Sequence, residues 1–170
     1  LYFKLTGERA TDPSEANFTF GDFKSRRYAP HILDELGVSD AKRLLPEIVD
    51  GTEHAGALSA ECARQTNLKA GTPVILGFVD VVCTGVGGGL YDPEGKVGCT
   101  IVGSTGMHMR IAPSASEVRL NSEMSGYTMA FPSPGMYAQM QSNMAATLNI
   151  DWLLDVAIGI LKGQGVERSR

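Results

Sequence analysis

Residues 74–80, Val-Ile-Leu-Gly-Phe-Val-Asp, form the stretch of the chain that decides the fold. A nearly continuous apolar run of this length is typical of a strand covered on both faces, as in α/β sheets. The run ends at Asp80, and the small apolar residues 81–89 that follow predict a tightly packed helix. The sequence therefore predicts an α/β fold in which a carboxylate lies where a buried strand passes into a helix.

The position of Asp80 allows a catalytic interpretation. Open α/β sheets bind ligands outside the carboxyl ends of their strands. An aspartate there can accept a proton from an attacking hydroxyl, and a helix N-terminus favours the charged carboxylate that a base needs. The alternative is that Asp80 only caps the helix. Spacing alone leaves both interpretations open.

A second candidate site is a turn between two predicted strands, 97–102 and 107–111. We call it the glycine turn, and it consists of Gly103, Ser104, Thr105 and Gly106. Glycines let backbone N–H groups converge on a phosphate, and hydroxyls add donors. An ordinary hairpin turn also favours Gly and Ser, so this segment alone does not decide between the two.

Other conspicuous residues indicate structural roles. The glycines at 85 and 87–89 lack the G-x-G-x-x-G arrangement of a dinucleotide site, and close helix–sheet packing or a loose helix end explains them better. The three histidines lie far apart, and no metal site is expected among the residues of this chain. The three cysteines are an odd number without metal-ligand spacing. We therefore expect Cys62, Cys83 and Cys99 to be small buried residues. The absence of a disulfide pattern indicates a reducing, cytoplasmic setting.

Composition bounds the class of protein. With 170 residues, 43% hydrophobic and 20% charged, the chain is long enough for one globular domain or parts of two. A net charge of −4 argues against a nucleic-acid partner, which would require a basic face, and gives no attraction to an anionic membrane. No apolar run is long enough to span a bilayer.

Local signals predict several further elements. They are a helix ending at Gly7, a helix start at 11–16, a helix at 30–36, a helix after Ser59, a turn at 92–95, an amphipathic helix around 153–161 and an irregular end at 167–170. Because the chain opens inside a helix and without Met, we expect an internal piece of a longer protein.

Several strings together resemble the FGGY carbohydrate kinases. Residues 5–16, with Leu-Thr-Gly-Glu and then Thr-Asp-Pro-Ser-Glu-Ala, resemble the family segment "LTGE…TD.SEA". Residues 36–49 resemble its "LG…LP.V" stretch, and residues 55–74 resemble "G.L…TGL.AGTPV". The resemblance extends over most of the chain, from about Leu1 to Asp155.

The resemblance implies a fold and a reaction. The family fold is an actin-like, ribonuclease-H-like pair of α/β domains with a cleft between them. Residues 1–96 would form the end of the first, sugar-binding domain, and 97–170 the start of the second, nucleotide-binding domain, with the changeover near 95–98. The reaction implied is transfer of the γ-phosphoryl group of ATP, with Mg²⁺, to a primary hydroxyl of a small sugar or polyol.

The resemblance also assigns roles to residues. The acid of the family's "GG.D" motif falls on Asp80, as general base, and the phosphate hairpin "GT.G" falls on the glycine turn. The turn has Ser-Thr where the family pattern has Thr-Ser, which changes the individual donors. The family's amino-terminal "D.GT" hairpin and its later adenosine motif have no counterpart in the sequence, so the isolated chain is expected to be inactive.

Substrate and partners follow from the same resemblance. Residues 80–84 resemble the branch that contains erythritol and L-xylulose kinases, and residues 99–109 and 134–152 are most similar to erythritol kinases. The alternatives are a kinase of L-xylulose or another ketose, and a non-catalytic actin-like binding module. The resemblance also makes a homodimer of the full-length protein an expectation.

Overall fold

The computed structural model describes residues 1–94 and 96–165. Gly95, within the predicted turn and the expected domain changeover, and residues 166–170, with the predicted irregular end, lie outside the described residues. Within the described ranges, no helix has both the length and the apolarity needed to cross a membrane.

The N-terminal part, residues 1–74, consists of short helices connected by two-stranded pairings. Its helices are α1 (Tyr2–Thr6), α2 (Pro13–Thr19), α3 (Pro30–Glu35) and α4 (Ala60–Thr66), with a 3-10 helix at Ser39–Leu44. One strand pair is parallel, β1 (Ala10–Thr11) with β4 (Glu47–Ile48). The other two are antiparallel, β2 (Gly21–Asp22) with β3 (Arg27–Tyr28) and β5 (Gly56–Ala57) with β6 (Pro73–Val74).

Capping residues explain where these helices begin and end. Asp12 caps α2 by accepting a hydrogen bond from the Ser14 amide at 2.8 Å. The Ser59 hydroxyl caps α4 by accepting from the Cys62 amide at 3.2 Å. Gly7 ends α1 with a φ of 83°, a left-handed conformation that glycine adopts without strain. These predicted helix boundaries are therefore confirmed.

The predicted buried strand over residues 74–79 is wrong. Only Pro73–Val74 pairs with β5, and residues 75–79 belong to no strand, with the Ile75 residue 58% exposed. Beyond Val74 the backbone passes so close to Gly51 that a side chain at position 51 would collide with the Leu76 carbonyl. An apolar run indicates burial, but a strand also needs a neighbouring backbone to accept and donate its hydrogen bonds.

The C-terminal part contains one four-stranded antiparallel sheet, with one helix before it and one after it along the chain. Its elements are α5 (Asp80–Gly87), β7 (Gly98–Val102), β8 (Gly106–Ala112), a 3-10 helix at Ala115–Glu117, β9 (Tyr127–Ala130), β10 (Tyr137–Asn143) and α6 (Thr147–Gly163). The strand order is β7-β8-β10-β9. Strand β10 pairs on both edges, with Met140 opposite Met109 and Ala138 opposite Ile111.

The hydrophobic core lies between α5 and one face of this sheet. Its buried members are Val82, Leu90, Met109, Ile111, Met129, Phe131, Ala138 and Met140. A Cβ atom at Gly85 would lie 3.0 Å from the Met109 sulfur, and one at Gly88 would lie 3.3 Å from the Cys99 sulfur. Gly85 and Gly88 therefore allow close approach to the sheet, as one of the two predicted explanations requires, whereas Gly87 and Gly89 have no neighbour within 4 Å.

Helix α6 forms where the sequence predicts an amphipathic helix, but none of its residues is buried. Trp152 is 65% exposed and Leu153 is 60% exposed. Within the part of the chain that the structure describes, the apolar stripe of α6 has no covering element.

Polar contacts join the N-terminal part to the sheet. The Arg26 guanidinium pairs with Asp50 at 3.1 Å and donates to the carbonyls of Phe131 and Ser133, at 2.9 and 3.3 Å. The Asn17 side-chain oxygen accepts a hydrogen bond from a β9 amide. These contacts fix α2 and the β2–β3 turn against the β9–β10 end of the sheet.

Candidate functional site

Asp80 is the first residue of α5, and its side chain is exposed. Its Oδ1 accepts a hydrogen bond from the Val81 amide at 2.7 Å, and its carbonyl accepts one from the Thr84 hydroxyl at 2.8 Å. The carboxylate therefore satisfies one amide of the first turn while remaining accessible to solvent. Both the capping and the catalytic interpretations fit this position.

The residue before Asp80 is held on both sides of its backbone. The Val79 amide donates to the Ser14 hydroxyl oxygen at 2.9 Å. The Val79 carbonyl accepts from the amides of Val82 and Cys83 at 3.0 and 3.1 Å. The first turn of α5 is thus connected directly to the start of α2.

The residues that make this connection are buried. Ser14 is fully buried and Asp12 is 3% exposed. The Ser14 hydroxyl donates to Oδ1 of Asp12, which also accepts from the amides of Ser14 and Glu15. From the sequence, Asp12 and Ser14 are interpreted only as a helix start and as part of a segment that resembles the family. The unused signal was an acid and a hydroxyl two positions apart at that helix start.

The carbonyls of the glycine turn are bound from the α6 side. The Ala146 amide donates to the Ser104 carbonyl at 2.9 Å. The Thr147 amide and hydroxyl both donate to the Gly103 carbonyl, at 3.0 and 2.9 Å. The start of α6 therefore fixes the backbone of the turn.

The donors of the glycine turn have a different environment. Ser104 and Thr105 are exposed, and in the described part of the chain their backbone amides donate to no protein acceptor. Gly106 is buried, and a side chain there would collide with Asn143 on β10. The turn presents amides and hydroxyls to solvent, which is the arrangement that an anion such as phosphate requires.

Three cavities lie elsewhere among the described residues. A cavity of about 470 Å³ covers the outer face of the sheet beside Arg110, Gln139 and Gln141. A second, of about 900 Å³, surrounds Arg26 and Asp50. Neither Asp80 nor the glycine turn lines these two cavities or a third one of about 600 Å³. The assignment of Asp80 and the glycine turn as a joint site therefore stays a prediction.

Three side chains of the N-terminal part have shifted pKa values. Burial raises the pKa of the Tyr2 phenol, and its hydrogen bond to Glu8 acts in the same direction. Burial also raises the pKa of Tyr28. A hydrogen bond from Ser25 lowers the pKa of Asp22. These shifts bear on stability rather than on the candidate site.

The cysteines differ from expectation. Cys83 is exposed, while Cys62 and Cys99 are half-buried, so the prediction that all three are buried is wrong. Cys83 is solvent-accessible because α5 presents only Val82 and Gly85 as buried residues. Within the described ranges, no three side chains of His, Cys, Asp or Glu come together as metal ligands.

Comparison with known proteins defines the class to which the chain belongs. Residues 1–87 match the model of the FGGY family of carbohydrate kinases, N-terminal domain. Since this match covers more than half of the 170 residues, the chain belongs to the FGGY family of carbohydrate kinases.

Individual relatives refine this picture. An erythritol kinase of Brucella abortus (strain 2308) is 50% identical over 161 residues, which are 95% of this chain and 31% of that protein. An L-xylulose/3-keto-L-gulonate kinase of Escherichia coli (strain K12) is 42% identical over 98 residues, covering 54% of this chain and 19% of that protein. The chain thus spans less than a third of the length of these relatives.

A solved structure confirms the predicted fold class. A ligand-bound xylulose kinase from Lactobacillus acidophilus superimposes with a TM-score of 0.74 at 21% sequence identity, over 88% of this chain and 29% of that one. The described residues form part of the actin-like α/β fold of these kinases.

Proposed function

We propose that the chain is the central segment of an ATP-dependent carbohydrate kinase that phosphorylates a primary hydroxyl, with erythritol as substrate. The observation that carries this proposal is the 50% identity to an erythritol kinase over 95% of the chain. The longer protein that would contain the chain is called the full-length protein below.

Asp80 is the proposed general base. It would orient the substrate hydroxyl and accept its proton as the oxygen attacks phosphorus. Its exposure in the first turn of α5 supports this role, because the carboxylate is accessible to a substrate hydroxyl.

The glycine turn is the proposed contact for the phosphates of ATP. The exposed amides and hydroxyls of Ser104 and Thr105 can donate to phosphate oxygens. Mg²⁺ would be held mainly by those phosphates, since this ion keeps few protein ligands, and it would offset their charge during transfer. Closure of two domains would exclude water, which otherwise competes as the acceptor.

The domain division is part of the proposal. We place the boundary between residues 1–96 and 97–170, so that α5 belongs to the first domain. Helix α5 nevertheless packs on β7 and β8. A helix shared in this way would carry Asp80 at the junction from which a cleft opens.

The setting of the full-length protein follows from the same reasoning. We propose a small sugar or polyol as its partner, a homodimer as its assembly and the cytoplasm as its location. The three unpaired thiols suit a reducing compartment.

Two other functions remain as alternatives. The 42% identity to an L-xylulose/3-keto-L-gulonate kinase favours a ketose as second candidate substrate. In a non-catalytic actin-like module, Asp80 would be a cap and the glycine turn an ordinary hairpin, and neither would affect a reaction.

The test is phosphoryl transfer by the full-length protein with ATP and Mg²⁺. Erythritol, L-xylulose and glycerol are compared by kcat/KM, and the position of the phosphate in the product is read by phosphorus NMR. We expect erythritol to be preferred and a primary hydroxyl to be modified, while the isolated 170-residue chain is inactive. Absence of transfer to every polyol and ketose would favour the binding module.

A further inference from the structure

We propose that Ser14 and Asp12 are positioning residues for Asp80, which they hold through the backbone amide of Val79. The inference rests on the function proposed above. It starts from the hydrogen bond between the Val79 amide and the Ser14 hydroxyl oxygen, 2.9 Å long, which joins residues 65 positions apart.

The contact holds the end of residues 75–79, the segment that leads into α5 and that no sheet supports. Residues 75–79 belong to no strand, so no hydrogen-bond ladder determines their path. The carbonyl of Val79 is already bound by amides inside α5. With its amide bound by Ser14, the two peptide groups that flank the Cα atom of Val79 are both held, and the second of them leads directly to the Cα atom of Asp80.

The Ser14 hydroxyl is oriented for this task. A hydroxyl has one proton to donate and two lone pairs with which to accept. Because the proton goes to the Asp12 carboxylate, a lone pair is left for the Val79 amide. Ser14 is fully buried and Asp12 is 3% exposed, so water does not compete for these bonds.

The other end of the connection is anchored as well. Asp12 holds two amides of the first turn of α2, which fixes that turn. Further along α2, the Asn17 side-chain oxygen accepts from the Ala130 amide on β9 at 3.0 Å. Helix α2 thereby ties the entry of α5 to the sheet on which α5 packs, and the start of α5 cannot slide along it.

This geometry implies a specific kinetic effect. A displacement of about 1 Å in a catalytic group can reduce a rate about 100-fold. Removing the Ser14 hydroxyl leaves the Val79 amide unbound and lets the first turn of α5 move. The glycine turn lies on other strands and is held by α6. We therefore expect kcat to fall about 10- to 100-fold while the KM for ATP stays unchanged.

The experiment compares three substitutions in the full-length protein. Ser14→Ala removes the acceptor, and Ser14→Thr keeps the hydroxyl and should restore kcat to within about threefold. Ser59→Ala is the matched control, because it removes another serine hydroxyl that accepts an amide at the start of a helix, away from Asp80. It should change kcat less than about twofold, although it costs about 1 kcal/mol of stability.

The outcomes separate this inference from the proposed function. If Asp80→Asn abolishes transfer while Ser14→Ala keeps the kcat of the unaltered protein, the positioning role is refuted and the kinase proposal stands. If Asp80→Asn has no effect, the proposed function fails and this inference fails with it. Equal losses for Ser14→Ala and Ser59→Ala would indicate a purely structural role and overturn the inference.

Two further measurements decide the case if Ser14→Ala does not fold. Ser14→Cys keeps the shape but provides a weaker acceptor, so an intermediate kcat is expected. Independently, residue-resolved amide exchange of the unaltered chain should show a protected Val79 amide. Exchange of that amide at the rate of an unstructured peptide would contradict the contact on which the inference depends.

Discussion

Helices α5 and α6 precede and follow the same sheet along the chain, but their environments differ. Helix α5 has eight residues and several glycines, yet Val82 is fully buried and the residues around it belong to the core. Helix α6 has seventeen residues and many large apolar side chains, none of which is buried. An apolar stripe thus accounts for the formation of a helix, whereas burial depends on the neighbours that the rest of the chain provides.

The largest expected difference between the two environments is in stability. Phe131 belongs to the core that α5 covers and is 1% exposed. Phe131→Ala should therefore lower the free energy of unfolding by about 3–5 kcal/mol. Trp152 on α6 is 65% exposed, and Trp152→Ala should change the free energy of unfolding by less than about 0.5 kcal/mol. Urea denaturation followed by circular dichroism measures both. Similar losses for the two variants would mean that α6 is packed in solution.

A smaller effect is expected at the junction between the N-terminal part and the sheet. Arg26→Ala should cost about 2–3 kcal/mol, because it leaves the half-buried Asp50 and the Phe131 carbonyl without their charged partner. Arg64→Ala, which removes an exposed pair with Glu61, should cost at most about 1 kcal/mol.

A double-mutant cycle in denaturant tests the Arg26 prediction directly. The coupling energy between Arg26 and Asp50 should exceed about 1 kcal/mol, and that between Arg64 and Glu61 should stay below it. Equal coupling in the two cycles would show that the half-buried Arg26–Asp50 pair contributes no more than an exposed pair.

The glycines of α5 provide a comparison within one helix. Gly85→Ala would place a Cβ atom 3.0 Å from the Met109 sulfur, and we expect a net loss of about 1 kcal/mol. A Cβ atom at Gly87 would have no neighbour within 4 Å, so Gly87→Ala should stabilise by up to about 1 kcal/mol through helix propensity. Thermal unfolding of both variants measures the difference, and stabilisation by Gly85→Ala would argue against close packing of α5 on the sheet.

The smallest effect concerns pH and lies in the N-terminal part. Burial raises the pKa of Tyr2 in the folded chain, so the unfolded chain loses this proton first. The contribution to stability is complete below the unfolded value, near 10, and is lost as the pH rises through the higher folded value. Tyr2→Phe should therefore flatten the alkaline decline in urea midpoint between about pH 9 and 11, with Tyr28 causing the remainder. An unchanged decline would contradict a buried Tyr2 phenol.

Sequence reasoning succeeded where the determining chemistry is local. The ends of α1, α2 and α4 depend on Gly7, Asp12 and Ser59, which act on amides and carbonyls a few residues away. It failed for residues 75–79, because a strand there needed a partner that composition cannot reveal. It also missed β10, although Ala138 and Met140 alternate with outward-facing Gln139 and Gln141 in the pattern of a half-buried strand.

In the candidate site, too, features set by neighbouring residues could be predicted, and features set by distant residues could not. The place of Asp80 at the start of a helix could be predicted, since an apolar run passes there into small helical residues. The contact between Ser14 and Val79 could not, because it joins segments 65 positions apart and depends on how α2 lies against α5. Local patterns identified the acid, and the fold supplies what holds it.

The measurement that tests the central claim most directly is the turnover of Asp80→Asn in the full-length protein, beside the matched substitution Asp92→Asn, whose carboxylate also accepts from backbone amides, those of Glu94 and Lys96. The account predicts that kcat falls by about 10²- to 10⁴-fold for Asp80→Asn, the usual contribution of a general base. The unfolding temperature and the KM for ATP should stay unchanged, and Asp92→Asn should behave as the unaltered protein. An Asp80→Asn variant that turns over within twofold of the unaltered enzyme would contradict the claim that this carboxylate activates the hydroxyl.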